Sequence, residues 1–384
     1  MPKGRIYKNE ILKYDDPDTG REVWRLSPPE FLSTHPYFYF NCISKDNLFA
    51  FYGSEISGSR QLYRQDLVSG DLMQLTDREG VLVYQACLSN DDKTILYATK
   101  DSIIRLFVDT LEEEVLYTPG PEWWTIKTFG VTPDCTHVSQ VQLHRDDLVP
   151  RDKKMAELSE QWAMKPRCRI VQIDVNNKTA NVVFDEKLWV AHPQLRPVFK
   201  DKIMFCHEGP GHLIESRIWL MDADGSNIIC PRHHLEGESF THEYWFPDGS
   251  ALGYVARIVE KDTRKVKEVT IRKIDMDTMK ETTIMPCTYY SHCVSNIQNT
   301  MIVGDGHNPE KPYVFLSDLR SGKEIAICRH DTKWSHYFDT GTGEFWSQDA
   351  HPHPQFSQDA TKIIFNSDRE GKPCVYLTDI SDLV

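Results

Sequence analysis

Fifteen histidines are spread through this chain, and several have the type and spacing of a metal-supported proton-transfer site. His351 and His353 flank one proline, His292 follows Ser291, His242 sits in Thr241-His242-Glu243, and His192 and His207 lie further upstream. Neutral imidazole ligates several divalent metals and, when unligated, exchanges a proton near pH 7. A lone histidine is an ordinary polar residue, so the inference depends on whether several converge. Glu236 and Glu238 provide two carboxylates of the kind glycosidases use. A spacing of two residues is common in acidic loops and is weak support for that chemistry.

Convergence requires elements that gather distant segments, and two interleaved repeats provide them. The first is a polar turn before an apolar strand: Ser44-Lys-Asp46, Ser89-Asn-Asp91, Thr132-Pro-Asp134, Pro247-Asp-Gly249, Ser295-Asn296 and Ser357-Gln-Asp359, with a degenerate copy near Pro197. The second is a strand ending in aspartate at Asp66, Asp109, Asp174, Asp222, Asp275, Asp318 and Asp379, followed by a turn and another strand. The two series alternate one for one. They define seven units of 43 to 65 residues, the signature of an all-β, seven-bladed β-propeller built as one domain over residues 1–384. The last unit stops soon after Asp379, while Glu22-Val-Trp-Arg-Leu26 matches the missing outer strand. The N-terminal strand is therefore expected to complete blade 7 and remove an open edge. Residues 146–163 break the pattern and predict a short amphipathic helix inserted in the third unit, with Asp152 as cap and Met155, Leu158 and Trp162 on one face.

The first strand of each blade lines the central channel. Aligned on the turns, His353 is four residues before Ser357, His242 four before Phe246 and His292 three before Ser295, with His192 near the matching place in unit four. Blades 4 to 7 are thus expected to deliver histidines to one mouth of the channel. His351 and His353 are expected on one face of a strand by period-two alternation. The loop after His207-Glu208 leads to Arg217 and opens on the same mouth.

Composition narrows the partners. A net charge of −13 disfavours nucleic acid as a whole-surface ligand and leaves room for a small acidic ligand in a local cationic pocket. No apolar run long enough for a membrane span and no leader-like N-terminus are present, so neither membrane insertion nor secretion is expected. Ten cysteines without CxxC pairs read as reduced, mostly buried thiols of a cytoplasmic protein.

At Phe205-Cys-His-Glu-Gly-Pro210, Glu236-Gly-Glu-Ser-Phe-Thr-His-Glu243, Ser291-His292, Val303-Gly-Asp-Gly306 and His351-Pro-His-Pro354, the chain closely resembles bacterial oligogalacturonate lyases over nearly its whole length. The resemblance implies a cytoplasmic propeller enzyme that cleaves short oligogalacturonates by β-elimination. It further implies a divalent ion, manganese, held by His292, Gln348, His351 and His353, with His242 as base and Arg217 on the substrate carboxylate. His207 and Arg196 match the pattern in a supporting, substrate-side role. The aromatic run Tyr37-Phe38-Tyr39 is shifted relative to His35, and no role is carried onto it. Two other readings of the residues stand beside this one: a non-catalytic propeller that binds a protein or peptide, and a metal-dependent hydrolase of uronides. Chelator response separates the first, and the product's conjugated double bond or its keto form separates the second.

Overall fold

The computed structural model describes residues 2–149, 158–260, 265–337 and 348–384. Their strands form seven antiparallel sheets. The innermost strands of blades 1 to 7 are Ser33–Thr34, Val81–Leu88, Trp123–Val131, Val190–Leu195, Glu238–Trp245, Tyr290–Ser295 and Gln355–Phe356. The chain then runs outward through each blade by hairpins, giving the expected seven-bladed β-propeller.

Both turn signals are local hydrogen-bonded devices. Ser44, Ser89, Thr132 and Ser357 each donate a hydroxyl hydrogen bond, 2.6 to 2.7 Å long, to the aspartate two residues on. The residue after that aspartate turns left-handed at Asn47, Asp92, Cys135 and Ala360. In the second series Asp66 accepts from the amides of Val68 and Ser69, and Asp174 from those of Asn176 and Asn177. Such side-chain-to-backbone bonds specify a turn within a few residues. That is why the repeat count could be read without knowing the tertiary structure.

Burial follows from stacking blades face to face. The inner strand Val81–Leu88 and the second strand Met301–Gly306 are buried at every position, whereas the outer strand Glu113–Tyr117 has no buried residue. A middle strand meets a neighbouring blade on both faces, while an outer strand faces water. The ring closes as expected: Val23, Trp24 and Arg25 pair with Thr378, Leu377 and Tyr376. The N-terminus goes further than the sequence implied. Leu12–Asp15 adds a fifth strand to blade 7, and Ile6–Tyr7 pairs with Leu72 and Met73 on the outside of blade 1. One short segment thereby ties the first blade to the last.

The insertion lies in blade 3, between His137–His144 and Arg167–Asp174. It contains a 3-10 turn at Arg145–Asp147 and a helix at Leu158–Ala163. Leu158 and Trp162 pack on the apolar cluster of blades 3 and 4; Asp152 and Met155 lie outside the described residues. Among the described residues, no helix is long and apolar enough to cross a membrane. All ten cysteines are free, eight of them buried.

Candidate metal centre and its surroundings

Blades 6 and 7 supply the centre of the site. Candidate ligand atoms of His292, His351 and His353 all lie within 4.8 Å of one another, and the Nε2 atoms of His292 and His353 are 3.1 Å apart. His292 is oriented by Asp305 on the adjacent strand, whose carboxylate accepts from the His292 amide at 2.5 Å and meets its Nδ1 at 2.8 Å. With Nδ1 bonded to a carboxylate, Nε2 is the nitrogen left to ligate. Buried Nδ1 atoms of His351 and His353 have no hydrogen-bond partner among the described residues. Orphaned buried nitrogens on converging neutral imidazoles are the donor set a divalent transition metal takes, so the residues fit such an ion.

The local folding that aims these side chains is irregular. The inner strands break register between Ala191 and Gln194, Thr241 and Tyr244, and Tyr290 and Cys293. His192, His242 and His292 lie inside those breaks. An inserted residue re-aims a side chain at the rim of a sheet. His192, His242 and His353 also adopt left-handed φ of 52°, 58° and 47°, which is uncommon for residues with a β-carbon. His351 and His353 do converge, but not through strand alternation: strand geometry begins only at Gln355. The left-handed turn at His353 brings the two rings together.

Around this centre, the His242 ring lies 4.2 Å from that of His292, centroid to centroid, and its Nδ1 is buried without a partner among the described residues. Burial, reinforced by neighbouring cationic groups, holds His242, His292, His351 and His353 well below the ordinary imidazole range. Burial pushes the Asp305 carboxyl up to about 7. Arg217 donates Nε to Glu243 at 2.7 Å and Nη1 to Glu208 at 3.4 Å. Glu208 in turn faces His192 at 3.7 Å.

Other expected residues stand apart. His207 stacks on Trp219 at 4.4 Å and also touches Phe205, and burial lowers its pKa to about 4. Its neighbour Cys206 donates its thiol to Glu243, so strand alternation turns His207 to the opposite side. Arg196 lies beyond the far end of its inner strand, donates to the Gly249 carbonyl at 2.7 Å, pairs with Asp201 at 3.2 Å and covers the Phe199 ring. Gly249 turns with φ of 71°, and a β-carbon there would come within 2.6 Å of the Pro197 carbonyl, so Arg196 belongs to a tight seam between blades 4 and 5. Neither residue is brought to the histidine cluster. Gln348 accepts the His351 amide through its carbonyl at 2.8 Å, one turn ahead of that candidate ligand.

Several neighbours escaped the sequence reading. Tyr37 is 4.9 Å from the His353 ring and 5.7 Å from that of His192, and Phe38 is 5.5 Å from that of His292. The aromatic run therefore lines the channel directly beneath the cluster. Trp334 packs on His351 at 4.8 Å. Asp305 had a usable signal: an acid near the end of an otherwise apolar, fully buried strand.

A family model described as oligogalacturonate lyase matches residues 1–384. The oligogalacturonate lyase of Dickeya dadantii (strain 3937) is 32% identical over 400 aligned residues, covering 100% of both chains. A solved oligogalacturonate lyase in complex with manganese has a TM-score of 0.90 at 34% identity, with 99% of this chain and 98% of that one covered. The Vibrio parahaemolyticus oligogalacturonate lyase structure has a TM-score of 0.89 at 30% identity, with 98% of each chain covered. The match spans every blade and the histidine cluster alike, and the chain belongs to the oligogalacturonate lyase family, a family of enzymes.

Proposed function

We propose that this enzyme cleaves short oligogalacturonates, digalacturonate among them, by β-elimination between C5 and C4 of a uronate. The observation that carries the reading is the three-histidine cluster with the His242 ring packed against it. His292, His351 and His353 would hold a divalent ion, with Gln348 as a fourth ligand; manganese is favoured because a close structural relative is a manganese complex. Such an ion acts as a Lewis acid on the uronate carboxylate, which is what a weakly acidic C5–H requires.

The chain's own groups supply the rest. His242, with its unpartnered buried Nδ1, takes the C5 proton. The C5–H electron pair becomes the C4=C5 double bond, and the glycosidic oxygen leaves C4 with its bonding electrons. From a dimer, the unsaturated uronate rearranges to a keto-deoxyuronate. Arg217, held by Glu243 and Glu208, is a substrate contact. The aromatic floor of Tyr37 and Phe38 keeps the cavity's dielectric low and strengthens charge interactions within it. Ten free thiols suit a reducing, cytoplasmic setting.

The test is manganese-loaded protein on digalacturonate, with and without chelator, reading the mass and absorbance of the product. Saturated galacturonate, or no product, would reject the reading. His242→Ala should slow turnover by about 10²- to 10⁴-fold while metal content stays the same; an unimpaired variant would remove His242 as base.

A further inference from the structure

Arg257 sits on the second strand of blade 5, Ala251–Val259, opposite Ser239 of the inner strand. Its Nη2 donates to Thr241 Oγ1 at 2.6 Å, directly beside His242, and its Nη1 to the Tyr289 hydroxyl at 2.8 Å. The guanidinium carbon lies 4.6 Å from the centre of the Tyr289 ring. Tyr289 packs edge-on to His307, His307 on Trp334, and Trp334 on His351. Arg257 is thus part of the same wall as the histidine cluster.

Among the described residues it differs from the arginines around it in having no counter-charge of its own. Arg60 pairs with Asp349, Arg217 with Glu243 and Glu208, and Arg232 and Arg272 with Glu238 and Glu281. Among the described residues Arg257 makes no ion pair; both hydrogen-bond partners are neutral hydroxyls, and its buried Nε has none. A largely desolvated guanidinium beside other cation-prone groups is costly unless an anion joins it. The chain carries a net charge of −13, yet the described carboxylate that acts on Arg257, that of Glu243, makes no ion pair with it and is already paired with Arg217. Arg217, by contrast, already faces two carboxylates, which repel a third.

We propose that Arg257, rather than Arg217, receives the carboxylate of the bound uronate. The planar fork suits a carboxylate, and Thr241 and Tyr289 hold it in place. The proposal rests on the oligogalacturonate reading above and assigns one role within it.

The test measures KM and kcat for digalacturonate, and Ki for its neutral methyl diester as competitor, in manganese-loaded wild type, Arg257→Met and Arg257→Lys. For Arg257→Met the expected result is a kcat/KM for the acid lowered by about 10- to 100-fold, carried mainly by KM, with Ki for the ester unchanged. Arg257→Lys, which keeps the charge and loses the fork, should fall between. If Arg257→Met does not fold, the lysine variant alone decides, with KM raised and Ki unmoved. An unchanged KM overturns the proposal, as does a KM and Ki that rise together, because that marks a deformed site. Wild type inactive on digalacturonate sinks the substrate reading itself.

Discussion

His292 has one ring nitrogen fixed by Asp305, and its other nitrogen, turned toward His353, is left to ligate. Among the described residues, its neighbours His351 and His353 keep buried Nδ1 atoms without partners. This asymmetry makes separable predictions. Replacing His351 or His353 with alanine should strip the bound metal, read as metal content after dialysis. Asp305→Asn should keep all three imidazoles and weaken manganese affinity by about 10- to 100-fold, since an orienting carboxylate typically counts for that much. Unchanged affinity in the asparagine variant would mean that Asp305 serves the fold alone. The histidines themselves were recognisable by type and spacing. Arg196 and His207 stand apart from the cluster for reasons the residues beside them do not show: Arg196 meets its partner Gly249 at a blade seam, and His207 is turned onto Trp219 of the next strand in its own blade.

Among the elements, the segment that carries His351 and His353 has little strand structure of its own, as pairing starts at Gln355. It is anchored instead by Asp349, whose carboxylate takes two hydrogen bonds, of 3.1 and 2.8 Å, from Arg60 in blade 1. Side-chain exposures of 2% and 0% mean that removing one partner leaves a buried charge. Arg60→Met should therefore cost about 3–5 kcal/mol, measured as a lower urea midpoint, and should also weaken metal binding. Adding Asp349→Leu should recover much of the stability. A midpoint unmoved by the single change would show that the pair does not anchor the segment. Bulges at His192, His242 and His292 do the same work of aiming side chains by backbone irregularity. Period-two reasoning assumes regular strands and is blind to them.

For the whole molecule, ring closure buries imidazoles, which sets a pH limit. Burial lowers His35, His207 and His330 to about 4, against about 6.5 in an unfolded chain. The unfolded state then binds more protons between those values. The stability contributed is complete above about pH 6.5 and is lost as pH falls through 4. The upper part of that window precedes carboxylate protonation in the unfolded chain. A urea midpoint that declines from pH 6.5 to 5 is expected, and a flat profile there would contradict neutral burial of these rings.

The sequence by itself determined the number of blades, the closing strand and which blades carry histidines, because each repeat is written in turns whose hydrogen bonds span five residues or fewer. Family membership was legible for a related reason: whole blocks of residues keep their order along the chain. Only the tertiary structure decided that Tyr37 and Phe38 floor the cavity, that Asp305 orients His292, and that Arg196 serves a seam while Arg257 has no counter-ion among the described residues. Those outcomes depend on bulges and on packing between blades, where the interacting groups lie far apart in the chain and meet only once the ring has closed.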